Sequence, residues 1–234
     1  MNDPERTCND LREISIRNGA TVFGVGGVGE HLSSFPLLSE TLRSGMTHAI
    51  SLGIELSGKI LDEIEDGPTQ LYYFHYRRIN QSLDHIGIVL TAHIQQKGFN
   101  AIPFPASQTI DWDDQRGHLS HKAIGRLAGH GWIGRNNLLV HPRYGSAVRY
   151  TTVLTDMPLP TDPPAPGNCG KCRKCIRACP ASAISEAPES FDREACLEML
   201  KVFSKRYQIR HYICGICVKV CRLRTPAPQS DIGS

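Results

Sequence analysis

The chain has 234 residues, 40% of them hydrophobic and 21% charged, with a formal net charge of +3. That length holds one ample core, or one core plus a small module, and the composition is ordinary for a soluble globular protein. No apolar run reaches the length of a membrane span and the polar start, Met1 to Arg6, leads into no secretory apolar stretch, so a cytoplasmic setting with no membrane partner is expected.

Cys8 stands near the N-terminus as a spectator. Residues 20–29 read as a short strand running into glycines. Gly24-x-Gly26-x-x-Gly29 formally fits a dinucleotide fingerprint, but that motif needs a helix at once, and His31 to Pro36 is loop-like, so a structural glycine turn is the better reading. Residues 46–56 form a second strand interrupted by Gly53. Asp66-Gly67-Pro68-Thr69 is a turn with a helix N-cap. The helix after it carries one apolar stripe, Tyr72, Tyr76, Ile79, Leu83, Ile86, Leu90 and Ile94, and stops at Gly98. On it Tyr76, His85 and His93 read as packing or surface residues.

Residues 99–107 form a strand and a proline-stiffened turn, and 109–117 a polar loop with Asp111, Asp113 and Asp114. A helix near 119–128 places His118 and His121 on one face. The run Gly129 to Asn137 sets three glycines around Trp132, which suits either a sharp turn or close approach to a flat ligand. Leu138–Val140 and 146–155 read as strands joined by a hairpin at 141–145. Five prolines between 158 and 166 mark a linker, and a helix over 192–207 carries Cys196. The boundaries that follow are 1–160 for an α/β domain, 161–224 for a cysteine-rich module and 225–234 for a flexible tail.

Eight of the nine cysteines lie in that module. The first group is Cys169-x2-Cys172-x2-Cys175-x3-Cys179-Pro180, and the second is Cys196 followed by Cys214-x2-Cys217-x3-Cys221. A cubane needs four thiolates at the corners of a tetrahedron, and a C-x2-C-x2-C run coils tightly enough to offer three. In two-cluster ferredoxins the fourth cysteine of each run crosses to the other cluster. The pattern therefore assigns Cys169, Cys172, Cys175 and Cys221 to one [4Fe–4S] cluster, and Cys179, Cys196, Cys214 and Cys217 to a second. A zinc site wants two CxxC pairs instead, and a disulfide framework suits a short secreted chain.

Charge is uneven, with 14 basic against 17 acidic residues before position 169 and 12 against 5 over 169–224. The excess either neutralises the clusters or serves an acidic docking partner or an RNA backbone.

Ala128-Gly129-His130-Gly131-Trp132-Ile133-Gly134-Arg135-Asn136, the Leu138–Val140 strand, Tyr144-Gly145-Ser146 and Leu154-Thr155-Asp156-x-Pro158-Leu159 lead into the cysteine pattern. Together they resemble epoxyqueuosine reductase, the cobalamin-dependent iron–sulfur enzyme of queuosine formation in tRNA, with reductive dehalogenases as more distant relatives. The resemblance covers residues 100–224. It implies an α/β (α+β), nitroreductase-like N-terminal domain followed by a ferredoxin-like module with two [4Fe–4S] clusters. It further implies a cobalamin near Gly131, Trp132, Ile133, Gly134 and Asn136, and an electron donor such as ferredoxin or flavodoxin. The cluster expected beside the corrin is the one held by Cys169, Cys172, Cys175 and Cys221.

Two departures bear on substrate. The sequence stops before the helical-repeat region with which the tRNA-acting members grip RNA, which reads as a short member for which tRNA is the less secure partner. Gln115 stands where the family has its proton-donating aspartate, so its neighbour Asp114 becomes the candidate acid, provided that burial raises its pKa. The alternative is a [4Fe–4S] electron carrier or reductive activator without its own cobalamin.

Overall fold

The structure, a computed structural model, describes residues 3–223. The expected tail, 225–234, lies outside the described residues.

Chain order is α1 (Pro4–Arg17), β1 (Val22–Gly27), α2 (Glu40–Arg43), β2 (His48–Glu55), α3 (Gly58–Asp62), α4 (Gln70–Gln96) and β3 (Ala101–Phe104). It continues with α5 (His121–Leu127), β4 (Trp132–Ile133), β5 (Leu139–Val140), β6 (Val148–Thr155), α6 (Lys174–Ala178), α7 (Arg193–Arg206) and α8 (Ile216–Cys221).

A four-stranded sheet of order β1-β2-β6-β3 is antiparallel throughout. Period-2 alternation divides its side chains between two apolar layers. Ile50, Leu52, Ile54 and Val153 pack with Leu83, Ile86, Leu90 and Ile94 of α4 on one face. Ala49 and Leu154 pack with Ile124 of α5 on the other. Both faces are covered, so the central strands are buried almost end to end.

Thr69 caps α4, its Oγ1 accepting from the Tyr72 amide at 3.1 Å, and the expected stripe is the buried face of the helix. The glycines of β1 have a packing cause. A Cβ at Gly24 would fall 2.3 Å from the Ala128 carbonyl oxygen, so the end of α5 lies directly on this strand. A turn and a single 3-10 turn at Leu32–Ser34 follow β1 instead of a helix, as the reading of a structural glycine turn requires.

The expected hairpin of two strands around 141–145 is corrected in one respect. His141 and Gly145 do pair across the turn. Yet β5 pairs with β4, a strand not expected, while β6 enters the main sheet. The proline segment is a strap more than a free linker. Met157 and Leu159 are buried in the α4-side core. The Asp162 amide donates to the Val25 carbonyl at 2.8 Å, and the Asp162 carboxylate accepts from the Val25 amide at 2.8 Å. The strap thereby covers the open edge of β1.

The cysteine-rich module is joined to the α/β domain by a shared core. Phe203, Ile209, Ile213 and Ile216 pack against Leu61, Ile64, Tyr72, Tyr73 and Tyr76.

Candidate iron–sulfur and redox site

The two cysteine groups fold onto each other through α6 and α8, which pack together and carry Cys175 and Cys221. Burial pushes the Cys175 thiol up, and the neighbouring Cys221 and Cys169 push it further. Burial likewise raises Cys221, with Cys169 and Cys172 adding to it against hydrogen bonds from Ser146. These four are the first expected quartet. In the second, burial carries Cys214 up to about 11, with Cys196 and Cys179 contributing. Cys196 is raised by burial and by Cys179, and Cys217 rises through burial and through Cys214, Cys196 and Cys179. Within each expected quartet, then, neighbouring thiols act on one another.

Burying four thiolates side by side is unfavourable unless a cationic core sits among them. The described cysteines form no disulfide. Among the described residues no three His, Cys, Asp or Glu side chains close on a point small enough for a single metal ion. A cavity of about 170 Å³ is lined by Cys179, Cys196, Cys214 and Cys217 with the apolar Leu138 and Phe191. The donor set and the dry walls fit an iron–sulfur cube.

The run expected to hold a corrin lies against the cysteines. A Cβ on Gly131 would fall 1.9 Å from the Val140 carbonyl oxygen, so Gly131 lets β4 and β5 close on each other. Trp132 lies under Gly167 of the strap, and Ile133 pairs with Leu139. A Cβ on Gly134 would come 3.4 Å from the Cys169 sulfur. Asn136 is buried and lines the second cavity, and its Nδ2 donates to Ser146 Oγ at 3.1 Å. Ser146 in turn hydrogen-bonds Cys221. Arg135 donates to the Cys172 and Gly170 carbonyls at 3.0 Å each, tying the run to the first cysteine loop. No residue of the run lines the cleft described next.

That cleft, of about 590 Å³, lies between the α/β domain and the module. Tyr76 of α4, Ser107, Trp112, Gln115, Arg210 and Tyr212 are among its walls. Tyr212 also lines the cavity of the second quartet, so cleft and cavity are neighbours. Behind Tyr76, the buried Tyr72 lies close enough to Cys214 and Cys217 for their charges to act on it, and its ring stands 6.4 Å from that of Tyr76. The cleft thus borders the second quartet.

Asp114, the candidate acid, is not buried. Its side chain is 44% exposed and pairs with Arg193 at 3.0 Å and Arg116 at 3.1 Å. It latches the loop 109–117 to the start of α7. Gln115 lines the cleft with φ +51°, a conformation rare for a side-chain-bearing residue. His121 is locked in one role. Its Nε2 donates to the Pro105 carbonyl and its Nδ1 accepts from Thr152, while burial pushes it down to about 4. His118 contacts Gln108 and the edge of Phe104.

Tyr76 is the residue that sequence reasoning passed over. Burial alone would push its phenol up, but Arg149, 4.5 Å over the ring, together with hydrogen bonds from Ser107 and Asn80, carries it below the usual range. Only its place in a helical stripe was visible, and that signals packing.

Residues 168–223 match the 4Fe-4S double cluster binding domain. Among curated proteins the chain is similar to epoxyqueuosine reductase of Synechococcus sp. (strain CC9605), 33% identical over 157 residues, or 63% of this chain and 45% of the relative. It is also similar to that of Aliivibrio fischeri, 29% identical over 170 residues, or 66% of this chain and 43% of the relative. The chain spans less than half the length of these relatives. Among solved structures, a catabolic reductive dehalogenase in complex with 3-bromo-4-hydroxybenzoic acid aligns with TM-score 0.74 at 21% identity, covering 94% of this chain and 32% of that one. An epoxyqueuosine reductase with an epoxyqueuosine-modified tRNA-Tyr stem loop aligns with TM-score 0.60 at 20% identity, covering 91% and 64%. At such identities these two show the fold alone. Sequence similarity and the matched cysteine domain agree: the chain is similar to epoxyqueuosine reductases and carries a 4Fe-4S double cluster binding domain.

Proposed function

We propose that the chain is the redox part of a cytoplasmic low-potential reductase. Two [4Fe–4S] clusters, held by the two quartets, relay electrons to the cleft bordered by Tyr76, Trp112 and Tyr212. The observation that carries the reading is the sharing of Tyr212 between that cleft and the cavity of the second quartet. An electron on the second cluster is then one side chain from a substrate.

A cobalamin-type cofactor fits the cleft better than it fits Gly131 to Asn136. A flat macrocycle fringed by amides suits aromatic walls such as Trp112 and Tyr212 with hydrogen-bonding groups such as Ser107, Thr109, Gln115 and Ser204 between them. When bound, that cofactor supplies a strongly reducing cobalt centre, and the protein supplies position and shelter. Tyr76 is the candidate proton donor, because its phenol faces the cleft and Arg149 stabilises the anion left behind. Gly131, Trp132, Ile133, Gly134 and Asn136 then serve the clusters. Asn136 acts through Ser146 on Cys221, where hydrogen bonds tune potential.

A tRNA bearing epoxyqueuosine is the first substrate to try, since a protein of this fold has been solved with such a stem loop. The test is anaerobic reconstitution followed by titration with cob(II)alamin under EPR. A shift to the base-off cobalt signal, lost on Trp112→Ala, is the expected result. An unchanged cobalt signal in a protein with full clusters would reject the cofactor and leave a [4Fe–4S] carrier or reductive activator.

A further inference from the structure

The two cysteine quartets differ in their access to solvent. Cys172 of the first is exposed, whereas Cys179, Cys196, Cys214 and Cys217 are all partly buried. Basic residues crowd around that exposed edge. Arg173 is engaged by Glu186, but Lys171, Lys174 and Arg177 have no ion-pair partner among the described residues.

Next to them a surface groove of about 600 Å³ runs between α6 and α8. Its floor is apolar, with Ala178, Val220 and the exposed Leu223. Its cations are of two kinds. Lys219 and Arg222 turn inward, donating to the Asp62 and Gly58 carbonyls respectively, and Arg222 also pairs with the Asp62 carboxylate at 2.7 Å. These two brace the module. Lys174 and Arg177 stand exposed on the rim, where a partner can reach them. The helices that form the groove carry Cys175 and Cys221, two ligands of the first quartet.

We infer that this groove docks a small acidic one-electron carrier protein, of iron–sulfur or flavin type, which charges the first cluster through the exposed edge at Cys172. The inference rests on the two-cluster reading above and gives the relay a direction, in at the first cluster and out at the second. In the docking step the reduced carrier loses one electron and the first cluster passes from its 2+ to its 1+ state, with no bond or proton moved. Passing that electron to the second cluster resets the first. A small apolar floor beside exposed cations suits a brief electron-transfer encounter, where charge sets the on-rate more than the affinity.

The test uses the reconstituted chain and a reduced, acidic two-iron ferredoxin, mixed anaerobically in a stopped-flow instrument. Lys174→Glu and Arg177→Glu are compared with Lys205→Glu, which makes the same charge change on α7, away from the groove. At low salt the groove variants should lose about tenfold in the second-order rate of reduction, and the salt dependence should flatten. Lys205→Glu should match the parent chain. Reduction by methyl viologen radical, too small to need a dock, should be equal in all. If Lys174→Glu perturbs the cluster at Cys175, methyl viologen reveals it, and Arg177→Glu with Lys171→Glu carries the comparison.

Groove variants reduced by ferredoxin at the parent rate would overturn the inference. So would equal slowing by Lys205→Glu, which would make net charge the cause. Variants that keep the ferredoxin rate but lose binding to a tRNA stem loop would mark the groove as an RNA surface. A parent chain that reconstitutes fewer than two clusters would instead defeat the reading beneath.

Discussion

At the scale of single residues, the cluster cysteines and Tyr76 make separable demands. Cys217 lies in the second quartet, pushed up by burial and by three thiols of its own set. Cys217→Ser should lower the iron bound by up to about four per chain, one cubane, while leaving the first cluster's EPR signal. Equal loss from both clusters would argue against two independent quartets. For Tyr76 the sign is fixed by chemistry, since the neutral phenol donates and the phenolate does not. Its pKa lies below the usual range, so substrate reduction should fall on the alkaline side at lower pH than a free phenol near 10 would give. Tyr76→Phe should remove that limb and slow the reaction by about 10²-fold or more with iron content unchanged. An unaltered alkaline limb in that variant would clear Tyr76 of the role.

At the scale of elements, the loop 109–117 and the β1–α5 contact carry the predictions. The Asp114–Arg193 and Asp114–Arg116 pairs are half-exposed, and such pairs contribute about 0–1 kcal/mol. Asp114→Asn should therefore barely change Tm, but should speed proteolysis within 109–117, and should slow substrate reduction far less than Tyr76→Phe does. A loss as large as that of Tyr76→Phe would return Asp114 to the role of acid. Gly24 meets α5 with no room for a methyl group, so Gly24→Ala should destabilise the domain by about 1–3 kcal/mol in denaturant unfolding. A neutral result would show that α5 moves freely on the sheet.

Across the whole molecule, what was legible in the sequence was whatever spacing alone encodes. The α4 stripe and the β1 and β2 strands follow from periods and intervals within short segments, and the structure assembles each as read; the two quartets are likewise read from intervals. The cleft was not legible, because its walls come from Tyr76, from 107–115 and from 204–212, and only tertiary packing joins them. For the same reason Gly131 to Asn136 read as a ligand pocket or as a turn. Glycine chemistry suits both, and the contacts with Val140 and Cys169 are not local. The pairing of β4 with β5 escaped because two-residue strands carry no period.

The central claim is that two iron–sulfur cubes occupy the two quartets and feed one cleft. The most direct measurement is an iron and sulfide count on the anaerobically reconstituted chain, with EPR of the reduced protein. About eight irons and eight sulfides per chain, with signals from two interacting 1+ clusters, is the expected result. Four irons or fewer, or zinc held in their place, would contradict the account.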